Sequence, residues 1–124
     1  MPAGTKPGDR ARLGRDGERA AATTYLRHGF TVIARNWRYP AGELDLILAR
    51  GPLLVFCEVK TRSGTAFGGG CEAVTGRKQR KLRQLAEVFM ATTGISPRAT
   101  RFDVASVRFE PGTQPSVELY EDAF

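Results

Sequence analysis

This chain is poor in the side chains that do covalent or redox chemistry. Its 124 residues include two cysteines and one histidine, and two thiols by themselves are too few for a zinc site. In a cytosolic chain they are not expected to form a structural disulfide either. Cys57 lies in the apolar run around Leu53–Val59 and reads as a small buried hydrophobe. His28 falls in the last turn of a predicted helix, where a cation is favoured by the helix dipole, and it receives no catalytic role. No apolar run approaches the roughly 20 residues of a membrane span, and the first residues lack the apolar core of a secretory signal. The expectation is a cytoplasmic protein with no membrane partner.

Negative charge is also in short supply. Lys and Arg number 19 against 13 Asp and Glu, a formal net charge of +6, which favours a polyanionic partner. Charge alone does not choose between nucleic acid and an anionic membrane. The apolar fraction of 41% is ordinary for a globular chain. The length suits one domain, expected over residues 10–124 after a loose Pro/Gly/Lys-containing tail at 1–9.

Periodicity predicts a helix over Arg10–His28, with Glu18, Ala21, Ala22, Tyr25 and Leu26 on one stripe. Gly29 caps it, and Phe30–Asn36 follows as a strand before Pro40 and Gly42 break the chain. Two strand-like runs, Glu43–Leu48 and Leu53–Thr61, flank Ala49-Arg50-Gly51-Pro52 and predict a hairpin. The Gly/Ser-rich segment Arg62–Glu72 reads as a mobile loop over that hairpin. A second helix is expected over Thr75–Thr93, capped by Thr75 and Gly94, with Leu82, Leu85, Ala86, Phe89 and Met90 on its buried stripe. Strands over Thr100–Phe109 and Val117–Tyr120 follow, separated by a turn at Pro111–Pro115.

The hairpin carries the chemistry. A turn centred on Arg50-Gly51 sets Asp45 opposite Phe56 and Glu43 opposite Glu58, and directly opposed residues share a sheet face. Glu43, Asp45, Glu58 and Lys60 then project from one face by period-2 alternation. Opposed like charges destabilise a sheet by a few tenths to about 1 kcal/mol per pair, so the array calls for a compensating cation. A hard divalent ion such as Mg²⁺ suits carboxylate oxygens. The competing reading is a set of solvated strand charges. Against it, Leu54, Val55, Phe56, Cys57 and Val59 make the second strand apolar on both faces and therefore central, and Glu18 sits on the apolar stripe of the first helix.

These residues resemble the PD-(D/E)XK nuclease superfamily, and within it the small YraN-like family of predicted endonucleases related to archaeal Holliday junction resolvases. The resemblance is carried by Gly14-x-x-Gly17-Glu18, Gly42-Glu43-Leu44-Asp45-Leu46-Ile47, Glu58-Val59-Lys60-Thr61-Arg62, Ala73-Val74-Thr75 and Arg101-Phe102-Asp103-Val104. It implies an α/β restriction-endonuclease-like core, a mixed sheet whose central hairpin is flanked by two helices. It implies Asp45, Glu58, Lys60 and Glu18 as catalytic residues, Asp45, Glu58 and Glu18 as metal ligands (to which the hairpin face adds Glu43), Mg²⁺ or Mn²⁺ as cofactor, and hydrolysis of phosphodiester bonds in DNA. By analogy with the junction resolvases it also implies a homodimer. Leu44 stands where the superfamily's name places proline.

The second helix adds Arg77, Lys78, Arg80, Lys81 and Arg83 within two turns. Arg77, Lys78, Arg80 and Lys81, with Arg62 at the start of the loop after the hairpin, are read as phosphate contacts. Lys78 and Gln79 extend the Leu82 stripe and either point at the hairpin or pack the helix start. Trp37 and Tyr39 offer a stacking surface for a base, with a core tryptophan as the commoner explanation. Asp103 reads as a partner for a basic residue rather than a metal ligand. The leading function is an endonuclease on branched or flapped DNA, with RNA left open as the polymer. Its rival is a non-catalytic nucleic-acid-binding or scaffolding module that retains the acidic hairpin.

Overall fold

The computed structural model describes residues 9–63 and 74–124. The expected loop lies outside the described residues except for Arg62 and Ser63, which still belong to a strand. Of the expected tail only Asp9 is described, and it is already helical.

The elements run α1 (Asp9–Arg27), β1 (Thr31–Tyr39), β2 (Gly42–Arg50), β3 (Leu53–Ser63), α2 (Gly76–Thr93), β4 (Ala99–Phe109) and β5 (Ser116–Tyr120). The five strands lie side by side in chain order. All neighbours are antiparallel except β3 and β4, which pair in parallel from Leu53↔Ala99 to Ser63↔Phe109. Parallel neighbours need a long crossover, and α2 supplies it. The doubly apolar β3 is the middle strand, as its composition predicted.

Alternation along β3 splits the core in two. Val55 and Cys57 pack with Leu46, Leu48 and Ala21, Ala22 and Tyr25 of α1. Leu54 and Phe56 pack with Ile47 and with Leu82, Leu85, Ala86 and Phe89 of α2. The helices therefore cover opposite faces of one sheet, the mixed α/β core expected. Leu26 is 50% exposed instead of lying on the stripe, because each four-residue step turns about 40° past a full turn and carries it off the sheet. Helix α2 has the expected caps: Thr75 Oγ1 accepts from the Lys78 N–H at 3.2 Å, and Gly94, at φ 76°, donates its N–H to Met90 O at 2.9 Å.

The C-terminal strands are locked to α1 through Asp103, which is wholly buried. Arg101 donates to it from Nε and Nη2 at 2.8 and 2.9 Å, the Tyr25 hydroxyl at 2.7 Å and the Asp122 N–H at 3.0 Å. Four donors satisfy a buried carboxylate without a metal. Burial pushes the neighbouring Cys57 thiol and Tyr25 hydroxyl well up, so both stay neutral parts of the core.

Candidate active site

The site begins where the hairpin opens. The β2–β3 ladder runs from Arg50↔Leu53 to Leu46↔Cys57, with Gly51-Pro52 as the turn. This is two residues from the expected register, and Ile47, not Asp45, faces Phe56. A shift of two by itself preserves every side chain's face. Beyond Leu46 and Cys57 the strands part: Gly42–Leu44 stays with β1 and Glu58–Ser63 with β4.

In the fork, Asp45 Oδ2 accepts the Val59 backbone N–H at 2.9 Å, taking the place of a strand partner. Alternation is broken here too. Leu46 and Leu48 belong to the α1-side core, whereas both Leu44 and Ile47 belong to the α2-side core. Glu43, one residue before Leu44, is thereby turned toward α1. The single flat face expected for Glu43, Asp45, Glu58 and Lys60 is replaced by a fork that gathers carboxylates from both sides.

Glu18 enters from α1. Gly17 lets the helix approach β3 closely, since a Cβ at that position would overlap the Thr61 side chain. Glu18, Glu43 and Asp45, all half-buried, each offer a carboxylate oxygen, and these atoms lie within 4.8 Å of one another. Asn36 ties two of them together, donating from Nδ2 to Glu18 at 2.8 Å and to Glu43 at 3.0 Å. Its φ of 49° lies in the left-handed region, which asparagine tolerates better than most residues. Arg38 reaches the other Glu43 oxygen at 3.3 Å. The sequence reading missed Asn36. A lone Asn on a strand carries no signal, and only the backbone conformation aims it inward.

Glu58 is not part of that triad. It is buried and pairs with Lys78 Nζ of α2 at 3.3 Å, so Lys78 does point at the hairpin, whereas Gln79 donates to Val74 O at 2.8 Å and packs the helix start. Lys60 follows Glu58 on the same side of β3, half-buried, with no hydrogen-bond or ion-pair partner among the described residues. Arg77, Arg80 and Lys81 are exposed on α2, and Arg62 is half-buried at the end of β3. Trp37 packs edge-on against Phe89 at 5.3 Å and belongs to the α2-side core, while Tyr39 stacks on it at 5.6 Å and is 46% exposed.

Burial first, then the Glu58 charge, pushes the Asp45 carboxyl up to about 7, with the Val59 N–H pulling the other way. Burial also raises Glu18, and Glu43 and Glu58 add to the rise, while Asn36 and Arg15 oppose it. Carboxylates this close repel by roughly 3–4 kcal/mol per pair at an effective dielectric of about 20. A charge-assisted hydrogen bond contributes about 1.5–3 kcal/mol, so Asn36's two, with the Arg38 ion pair at Glu43, leave repulsion in the cluster that a proton or a further cation would relieve. Hard oxygen donors in this number fit Mg²⁺ or Mn²⁺ and offer nothing to a thiophilic metal. Among the described residues no helix is long and apolar enough to cross a membrane.

Comparison with known sequences agrees with the resemblance. Residues 17–107 match the family described as "Uncharacterised protein family UPF0102". A UPF0102 protein of Frankia alni is 47% identical over 90% of this chain and 93% of its own length. One from Symbiobacterium thermophilum is 45% identical over 91% and 96%, and one from Moorella thermoacetica 40% over 93% and 97%. The chain belongs to the UPF0102 family, YraN-like, and with it to the PD-(D/E)XK-like nuclease superfamily.

Proposed function

We propose that this protein is a cytoplasmic, metal-dependent endodeoxyribonuclease that hydrolyses phosphodiester bonds in branched or flapped DNA. The observation that carries the reading is the meeting of Glu18, Glu43 and Asp45 oxygens within 4.8 Å, at a fork whose other strand presents Glu58 and Lys60. When bound by Asp45, Glu18 and Glu43, Mg²⁺ or Mn²⁺ supplies positive charge to the phosphate oxygens and lowers the pKa of its bound water. Asn36 holds Glu18 and Glu43 in place against their mutual repulsion. The Val59 N–H fixes Asp45 in one orientation. Lys60 orients the attacking water and donates to the oxygen on which charge develops. Glu58, held by Lys78, ties this chemistry to α2, whose Arg77, Arg80 and Lys81, with Arg62, neutralise backbone phosphates.

The test is a nicking assay on branched, flapped and linear DNA with Mg²⁺, Mn²⁺ or EDTA. Nicks that need the metal and vanish in EDTA support the reading. Tight binding with no nick under any condition overturns it in favour of a non-catalytic binding module.

A further inference from the structure

Arg12, Arg15, Arg19 and Arg27 of α1 are all exposed, and of these only Arg15 acts on the site above, through the Glu18 carboxylate. Arg15, Arg19, Thr23 and Arg27 stand four residues apart. Each step advances roughly 6 Å and turns about 40° past a full turn, so the row winds around the helix instead of following one edge. It starts beside the acid cluster, where Arg15 acts on the Glu18 carboxylate. It ends roughly 18 Å further along the helix, in a groove of about 450 Å³ between α1 and the β4–β5 side of the sheet. Arg19, Thr23 and Arg27 line one wall of that groove, and Phe109, Pro115 and Val117 the other. One carboxylate, Asp16, also faces it, against two guanidinium groups.

We propose that this groove holds a single-stranded DNA segment continuous with the strand at the acid cluster; the inference rests on the nuclease reading only for where that strand comes from. A cationic wall facing an apolar, aromatic-containing wall is the combination that holds single strands, with phosphates on the charge and bases against the apolar surface. The volume is that of a small-ligand site. That volume suits unpaired nucleotides better than a duplex. The winding arginines give the intervening backbone a continuous track to the acid cluster, as an unpaired arm or flap requires.

The experiment is fluorescence anisotropy in Ca²⁺, comparing one duplex with and without a single-stranded tail. Three full-length chains are used: the parent, Arg19→Gln/Arg27→Gln, and Thr23→Glu, which places a carboxylate on the same wall at an exposed helical position. The parent gains affinity from the tail. Both variants lose that gain at least about fivefold, because two phosphate-facing cations are removed in one and a carboxylate is set against the phosphates in the other. The salt slope on the tailed substrate flattens by up to about 1.4 in the double variant, at about 0.7 per single-strand phosphate. Affinity for the blunt duplex moves less than about twofold. A parent with no tail-dependent gain, variants that keep it, or an equal loss on both substrates overturns the groove. Because binding is read without cleavage, a chain that binds tails but never nicks fails the nuclease reading while leaving this one standing. Matching thermal unfolding of the three chains shows that the comparison is between folded proteins.

Discussion

The Val59 backbone N–H donates to Asp45 Oδ2 at 2.9 Å, with Asp45 one residue and Val59 two residues beyond the last β2–β3 pair, Leu46↔Cys57. A side chain substitutes for the strand at the point where the strands separate. The backbone donor holds one carboxylate oxygen, and the carboxylate still offers an oxygen to the cluster with Glu18 and Glu43.

That position sets a pH dependence. Asp45's folded-state pKa, about 7, lies above its ordinary value of 3.8. Its contribution to stability is therefore complete below about 3.8 and is lost as pH rises through about 7. Glu18, also raised, acts in the same direction. Asp45→Asn keeps an acceptor for Val59 and removes the charge. In EDTA at pH 8 the variant should melt above the parent, and the gap should close by pH 4. Mg²⁺ should stabilise the parent at pH 8 more than the variant. Differential scanning fluorimetry measures all three; a variant that melts below the parent at pH 8 contradicts the assignment.

Asn36 is the second lever. Its amide bridges Glu18 and Glu43, and loss of such outer hydrogen bonds typically lowers metal affinity about 10- to 100-fold. Asn36→Ala and Asn36→Gly should both show that loss in Mn²⁺ titration calorimetry. Glycine accepts the left-handed backbone without strain, so a defect confined to alanine would point to backbone geometry instead of the amide.

Lys78 couples the basic helix to the acid site, which separates it from its neighbours. Lys78→Met should raise metal affinity by about two- to fivefold, the scale of a half-exposed ion pair worth under about 1 kcal/mol. Arg80→Gln/Lys81→Gln should leave metal binding unchanged and flatten the salt dependence of duplex DNA binding by up to about 2, at about 0.9 per phosphate contact. Equal effects of the two variants on the metal would refute the division.

Asp103 should matter for folding alone. Asp103→Asn leaves the Arg101 guanidinium and the Tyr25 hydroxyl poorly paired, and breaking a buried pair typically costs about 3–5 kcal/mol. Chemical denaturation should report a loss on that scale, and the folded fraction should keep the parent's Mn²⁺ affinity. A selective loss of metal binding would place Asp103 in the site.

Much of this was legible in the sequence because it depends on short-range pattern. Leu82, Leu85, Ala86 and Phe89 recur at helical spacing, Thr75 and Gly94 cap, and the doubly apolar β3 declares itself central. The hairpin register came out two residues off, since the Gly-Pro dipeptide did not reveal which pair occupies the turn, and period-2 alternation hid the error. What pattern could not carry was the break in alternation at Asp45. Strict alternation placed Glu43 and Glu58 together, whereas the fork sends Glu43 to Glu18 and Asn36, and leaves Glu58 to Lys78. Asn36 was invisible for the same reason: its role follows from one left-handed residue. Leu26 was misplaced by treating a drifting helical stripe as straight.

The most direct test of the account is single-turnover cleavage of flapped DNA by the parent and Asp45→Asn, purified identically, in Mg²⁺ or Mn²⁺. The account predicts metal-dependent nicking by the parent and a loss of at least about 100-fold in the variant, about 2.7 kcal/mol of barrier, with DNA affinity in Ca²⁺ within about twofold of the parent. Equal cleavage by the two proteins, or none by the parent in either metal, would contradict it.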